Sequence, residues 1–575
     1  MVTAVKFRRE PNFAGKLLQL LARRPVRRAG LLLSVALPMA APGQFSSAHA
    51  PSSTPGESLG TVAFAVSCST DAQRGFNRGV ALLHDFWYDE AGRQFQQIAR
   101  LDPGCAMAHW GVALSTYHQI WAPDRPDEQT LKQGWKEMQQ AAAPAARTAR
   151  ERAYIAALTS FFKPGQEYPA RVAAYSAAMA ELYRQYPDDV DAGAFYALSL
   201  LAAHKPNDTS LTAAHAALAV LNPLFAKYPD HPGVVHYIIH ACDTPSLASQ
   251  GLAAAQHYGE IAPSGAHAVH MPAHIFARLG MWPEDIRANL ASVAASHSAE
   301  ARQLSDGSTM DEFHSDDFLL YAYLQSGEEA KARAILDDTA ILMKRYEAMP
   351  HMSHAMHGRL LYLHNKFPAF YYLETRDWKS AAALEPVAGG EPVDGLVTYW
   401  ARVVADGHLH RPAPARADFE RRESLMEEVA HGPDAYIAQS TWAQVSRGEM
   451  RAWVAFAEGH ETEALKYMRE AADLQDKVGQ GEVDIPAREM LGDVLLESRY
   501  PQAALLEYEQ ALKLSPKRFN GLFAAGMAAE AAGDQHKAAD FYAALLTSTD
   551  QGSHSARLEL AHARSFLSPA HVAAK

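Results

Sequence analysis

Two stretches near the C-terminus, MLGDVLLESRYPQAALLEYEQALKLSP (490–516) and AAGMAAEAAGDQHKAADFYAALLTST (524–549), read as one pattern written twice, 34 residues apart. Gly492, Ala504 and Tyr508 recur as Gly526, Ala538 and Tyr542, whereas Pro516 has no counterpart. Apolar residues fall at helical spacing throughout, so each stretch predicts a pair of helices. The small residues let the paired helices approach, the aromatic fills the gap between hairpins, and the proline ends the second helix. Near the N-terminus Gly79, Ala91, Phe95 and Pro103 repeat the same internal steps of 12, 4 and 8 residues. A hairpin of this size cannot bury its apolar face alone, so such units must stack. The fold expected is an all-α solenoid.

The spacing and residue types resemble the tetratricopeptide repeat family, which implies a right-handed superhelix of helical hairpins. Looser hairpins fill the interior, among them AMAHWGVALSTYHQIW, DAGAFYALSLLAAH and MRAWVAFAEGHETEALKYM. Breakers at 123–128, 385–395 and 410–422 mark joints. The reading divides the chain into a signal peptide (1–50), a disordered Ser/Pro-rich leader (51–65), N-terminal hairpins (66–165), a central region (166–385), an irregular linker (386–430), C-terminal repeats (431–550) and a capping helix with tail (551–575).

The chemistry-bearing residues lie in the central region. His236 and His240 form one i, i+4 pair, and His270 and His274 form another 34 residues later. Each pair shares a helix face, and the 34-residue offset sets both pairs at equivalent positions on successive repeats. In the family that this chain resembles, positions 2, 5, 9 and 12 of each first helix line the concave groove. With Gly280 at the hairpin turn, as Gly533 is in AAGDQ, His267, His270 and His274 take groove positions. His236, His240 and Asp243 do so one repeat earlier, and His314, Asp317 and Tyr321 one repeat later, aligned on Gly327. Neutral imidazoles with an occasional carboxylate suit a divalent transition metal such as Zn or Cu. Asp243 and Asp317 are the candidates to orient the rings, and Arg278 to clamp a carboxylate or phosphate. The competing reading is of core histidines satisfied by backbone or tyrosine. Pro272 either kinks its helix or delays its start, and a delayed start leaves His267 and His270 in a loop.

The stretch from Val235 to Trp282 resembles a narrower family of exported bacterial tetratricopeptide-repeat proteins that share HYxIHAxD and HAxHMPxHIFxRLGxW. FNRGVALLHDFWYDEA and DPGCAMAHWG extend the likeness to residues 66–380. It implies His236, His240, Asp243, His267, His270, His274 and Arg278 as site residues and names no reaction. Three functions follow as rivals: a scaffold that takes a protein or peptide partner or a ligand in its concave groove, a metal-dependent hydrolase-like enzyme, and a periplasmic metal carrier. HMSHAMH, with His351, His354, His357, Met352 and Met356, offers imidazole and thioether for copper in the last. Trp110, Trp121, Phe86, Trp87 and Tyr88 read as packing aromatics. The chain has no P-loop, no dinucleotide glycine motif and no G-x-S-x-G elbow.

The N-terminus runs basic, apolar, small: Lys6 to Arg28, then Ala29 to Ala41, then SAHA, with Ala48 and Ala50 as a cleavage signature. This predicts export to the periplasm or beyond, an uncleaved anchor being the alternative. Without residues 1–50 the chain carries 45 basic and 64 acidic residues, a net charge of −19, which disfavours nucleic acid and anionic lipid as partners. No later stretch is long and apolar enough for a membrane span. The cysteines are Cys68, Cys105 and Cys242. A staple between the first two is open in an exported protein, and Cys242 reads as a buried thiol.

Overall fold

The repeated small-to-aromatic pairing is visible as contact. A Cβ at Gly79 would lie 2.6 Å from the Phe95 ring, one at Gly492 2.5 Å from Tyr508, and one at Gly526 2.4 Å from Tyr542. In each hairpin the aromatic of the second helix therefore occupies the space a side chain on the first would take. The computed structural model describes residues 57–120, 126–142, 148–204, 209–301, 308–347, 354–432, 434–481, 483–549 and 555–568. The signal peptide and Trp121 lie outside them, as do His351, Met352 and the side chains of His354 and Met356.

Every regular element among the described residues is a helix. Each packs chiefly on its neighbours in sequence, as a stack of antiparallel hairpins requires. Glycines with positive φ stand at the hairpin turns, Gly280 at +62°, Gly327 at +75° and Gly533 at +84°. These are the positions from which the repeats were aligned, and glycine takes this backbone at no steric cost.

Two expectations require correction. Residues 57–65 are not a disordered leader: Phe64 is fully buried, its ring centroid 5.6 Å from that of Trp110, and Glu57 pairs with Arg78 at 2.6 Å. Leu59 and Phe64 carry enough apolar surface to dock the strip despite its Ser/Gly composition. Residues 386–395 are irregular as expected, but 396–430 are not a linker, since helices Leu396–His408 and Pro412–Ala430 form another hairpin. Pro412 sits in the first turn, where the missing N–H costs nothing, so it starts a helix instead of breaking one. The tail of the chain carries a last helix, Leu558–Phe566. Cys68 and Cys105 are disulfide-bonded, and Cys242 is a buried free thiol that burial pushes up to about 12.

The solenoid also closes on itself. Gly60 N–H donates to the Ile261 carbonyl at 2.9 Å, and Thr61 N–H to that of Asp230 at 2.8 Å. From the other end, Trp282 Nε1 donates to the Lys517 carbonyl at 3.0 Å and Tyr321 Oη to that of Asp484 at 3.0 Å. Beside a small third cluster of Leu396, Leu425 and Val429, two large hydrophobic cores result among the described residues, one drawn from residues 59–276 and one from 273–566. Their seam runs through the kinked helix that carries His267, His270 and His274. Met271 and Ile275 belong to one core, Ala273 and Ala277 to the other.

Candidate metal centre

Three helical segments supply the histidines: Pro232–Cys242, the kinked pair Ala266–His270 and Pro272–Arg278, and Ser308–Gln325. Pro272 does not delay the helix. Met271 keeps helical angles (φ −51°, ψ −36°), and His274 N–H bonds to the Met271 carbonyl at 3.2 Å across the break. His267 and His270 therefore remain helical, and the i, i+4 relation of His270 to His274 survives the kink.

The six imidazoles form two triads. His236, His240 and His267 can each present a ring nitrogen within 4.8 Å of the others, and so can His270, His274 and His314. Ring centroids of His267 and His270, which link the triads, are 6.3 Å apart. Each triad packs against one phenylalanine. Phe86 stacks on His240 and His267, both at 5.4 Å, and Phe318 lies 4.9 Å from both His270 and His274. Phe86 has φ of +57°, a backbone state that costs a bulky residue energy and is retained here between imidazoles. His236, His267, His270 and His274 are buried, while His240 and His314 are partly exposed and give the site its outlet.

The ring nitrogens carry the chemical argument. His270 Nδ1 lies 2.6 Å from Asn289 Oδ1, whose amide nitrogen is turned away to donate to Asp285. His274 Nδ1 lies 2.8 Å from Asp243 Oδ2. Both acceptors are oxygens, so both rings hold their proton on Nδ1, and in the neutral rings each Nε2 presents a lone pair. Those two Nε2 atoms face each other at 3.0 Å. In the first triad His236 Nδ1 donates to the His84 carbonyl at 2.6 Å, so its Nε2 presents a lone pair, 3.0 Å from His240 Nε2. Between His270 and His274 the opposed lone pairs repel at this distance unless a cation or a proton sits between them. A metal with bonds of about 2.0–2.1 Å at tetrahedral angles would hold two nitrogens about 3.3 Å apart, a few tenths of an ångström from what is seen. Burial holds His236, His267 and His314 well below the ordinary histidine range, with the neighbouring imidazoles adding to the effect, so these three rings resist protonation. Asp311, three residues before His314, places Oδ1 3.9 Å from His267 Nδ1, and burial raises its carboxyl to about 7.

A third cluster shows what a satisfied set looks like. Val234 N–H donates to His231 Nδ1, so His231 Nε2 carries the proton and gives it to Asp191 at 3.2 Å. His84 Nε2 donates to the same oxygen at 3.0 Å, and the Tyr237 hydroxyl donates to His84 Nδ1 at 2.9 Å. Each nitrogen of these two rings has a complementary partner. The cluster is a brace that holds the His84 carbonyl against His236.

The remaining sequence-derived residues divide. Asp243 belongs to the site through His274. Arg278 clamps a carboxylate, but the chain's own: its Nε donates to Asp243 at 3.1 Å, and it also reaches the Gln480 carbonyl. Asp317 and Tyr321 do not join. Along Ser308–Gln325 each residue climbs about 1.5 Å, which carries Tyr321 about 10 Å beyond His314. Asp317 pairs with Lys366 at 2.6 Å, and Tyr321 meets Asp484 and Arg518. The groove at this level is not an open trough, because Phe86 and Gln480 from distant repeats cover it. Sequence reading missed His84, Asn289, Asp311 and Phe318. Asp311 was within reach, lying one turn from His314 in DEFH; the others have no local signal.

Fold and site together define a helical-repeat scaffold with two largely buried histidine triads near the seam of its two large cores. No protein-family model and no curated protein matches the chain. Solved structures with which it shares similarity include Naa15/Naa10 bound to HypK-THB (12% identity, covering 87% of this chain and 92% of that one, TM-score 0.22). The P58(IPK) TPR domain (11%, 87% and 98%, 0.21) and yeast Tom70 (11%, 80% and 95%, 0.28) are two others. At these TM-scores the likeness does not extend to the global superposition. No helix among the described residues is long and apolar enough to cross a membrane.

Proposed function

We propose that this protein is an exported helical-repeat protein that binds divalent transition-metal ions, Zn or Cu class, in its two histidine triads, one ion to each. The observation that carries the reading is the facing pair of Nε2 atoms of His270 and His274, both deprotonated by what their Nδ1 atoms bind. Such outer-sphere acceptors fix tautomer and ring orientation in metal sites. The Cys68–Cys105 bridge and the basic–apolar–small N-terminus support export.

A second reading, metal-dependent hydrolysis, is favoured by the ligand set. Three neutral imidazoles leave a dication uncompensated, with a position open for water or an anionic group, as in catalytic more than structural zinc sites. A protein or peptide partner remains a proposal for stretches of groove that the chain does not cover itself.

Elemental analysis of protein purified without chelator tests the first reading. Two equivalents are expected in the wild type, one in His236→Ala and in His274→Ala, and none in the double variant, all with unchanged helical circular dichroism. Absence of metal after reconstitution with Zn(II), Cu(II) or Co(II) would sink it. Turnover of p-nitrophenyl acetate or phosphate by the loaded wild type, lost in His274→Ala, separates the hydrolase from a carrier.

A further inference from the structure

The C-terminal half encloses a cavity of about 230 Å³ that no part of the metal reading uses. Helices His354–Glu374, Leu396–His408 and Thr441–Ala457 form its walls, and the loop after Val478 closes it. At the density of liquid water that volume corresponds to about eight non-hydrogen atoms. Tyr362, Phe370, Trp400 and Trp442 present aromatic surface to it. Trp442 is 42% exposed, which puts it at the mouth.

The polar groups are unevenly balanced. Glu449 and Asp484 both line the cavity, and so does one cation, Lys366. Lys366 is already matched to a third carboxylate, Asp317, at 2.6 Å. The two guanidinium groups that act on these acids are engaged elsewhere: Arg518 with Glu374 and Glu489, Arg422 with Glu423 and Ser446. Glu449 accepts from Trp400 Nε1 at 2.7 Å, and Asp484 from Ile485 N–H at 2.9 Å and Gln475 Nε2 at 3.2 Å. Those bonds fix both carboxyls in place but bring no counter-charge. Surplus acid beside aromatic faces is the environment that recognises a cation with an apolar body.

We propose that this cavity binds a small organic cation, an amine or quaternary ammonium with an apolar body, held by Glu449 and Asp484 against the rings of Trp400 and Trp442. Burial raises the Glu449 carboxyl to about 8 and that of Asp484 to about 6. Lys366 and Arg518 pull Asp484 down, Arg422 pulls Glu449 down, and Tyr362 is itself raised by burial. An incoming cation favours the ionised acids, so binding near neutral pH releases a proton, chiefly from Glu449.

The test uses the full-length protein and three probes of one shape: benzylamine, benzyl alcohol and benzoate. Calorimetry in two buffers of different ionisation heat, with tryptophan fluorescence alongside, is expected to show one saturable benzylamine site with proton release. Benzyl alcohol should bind at least tenfold more weakly and benzoate not at all. Glu449→Gln keeps the acceptor for Trp400 and should weaken benzylamine tenfold or more while suppressing the released proton. Trp442→Leu, at a partly exposed position, should weaken it without loss of folding. Benzoate or benzyl alcohol binding as well as benzylamine, an unchanged affinity in both variants, or no binding of any probe would overturn the proposal. Metal content is not part of the readout, so failure here leaves the histidine site untouched.

Discussion

His84 is held through both ring nitrogens, and that makes it a reporter of how the brace beneath the first triad responds to acid. Burial lowers its pKa to about 4, outweighing the Asp191 carboxylate that would raise it. For Asp191, burial works upward, but hydrogen bonds from His231 and His84 outweigh it and keep this carboxylate well below the usual range. Only His84 of the pair therefore titrates between pH 6.5 and 4. The unfolded chain protonates this histidine first, so its contribution to stability is present above about pH 6.5 and is lost as pH falls toward 4. At about 1.4 kcal/mol per pH unit the loss reaches about 3 kcal/mol. His84→Gln should show a shallower acid limb in urea midpoints over that window, whatever its absolute stability; an identical slope would remove His84 as the cause. The residue types at the metal site were legible, since an i, i+4 spacing needs only helical geometry to be read. Which nitrogen of each ring points inward was not, because Asn289 and the His84 carbonyl that decide it come from other helices.

At the scale of elements, the kinked helix and its turn matter most. Gly280 follows Pro272–Arg278, and a Cβ there would stand 2.4 Å from the Pro516 carbonyl oxygen of the C-terminal array. Gly280→Ala adds a left-handed backbone penalty at φ +62° to a clash with backbone that cannot rotate away. A loss of about 2–4 kcal/mol is expected in thermal or urea unfolding, with metal stoichiometry retained below the transition. A neutral outcome would mean that the fold-back at Pro516 is looser than described. The turn glycines were readable as punctuation, the 34-residue register placed two of the histidine helices side by side, and Gly327 as a turn added the third. The extent of each element was less so. Pro412 and the Pro/Gly run before Leu396 suggested irregular chain, yet proline in a first turn is compatible with a helix. Leu59 and Phe64 were hidden among Ser and Gly, and only their burial shows that they dock.

At the scale of the molecule, Arg518 ties the C-terminal repeats to the middle of the chain. It is 1% exposed and bonds Glu489 at 2.9 Å, Glu374 at 2.8 Å and the Tyr321 hydroxyl. Arg518→Met leaves two buried carboxylates facing each other, and losing one partner of a buried ionic cluster costs about 3–5 kcal/mol. The drop should appear in urea unfolding followed by tryptophan fluorescence, and a midpoint within error of wild type would count against closure of the solenoid through this residue. By itself the sequence determined what depends on short-range periodicity: helices, hairpins with a glycine at the turn and an aromatic in the gap, and four histidines on one register. Only tertiary structure decided that the histidines sort into two triads, that Asp317 and Tyr321 climb away to Lys366 and Arg518, and that Phe86 and Gln480 cover the groove. The physical reason is one of distance along the chain. Repeat spacing fixes each helix against its neighbours, whereas closure joins residues some 150–240 positions apart, through bonds such as His84 to His236 and Trp282 to Lys517.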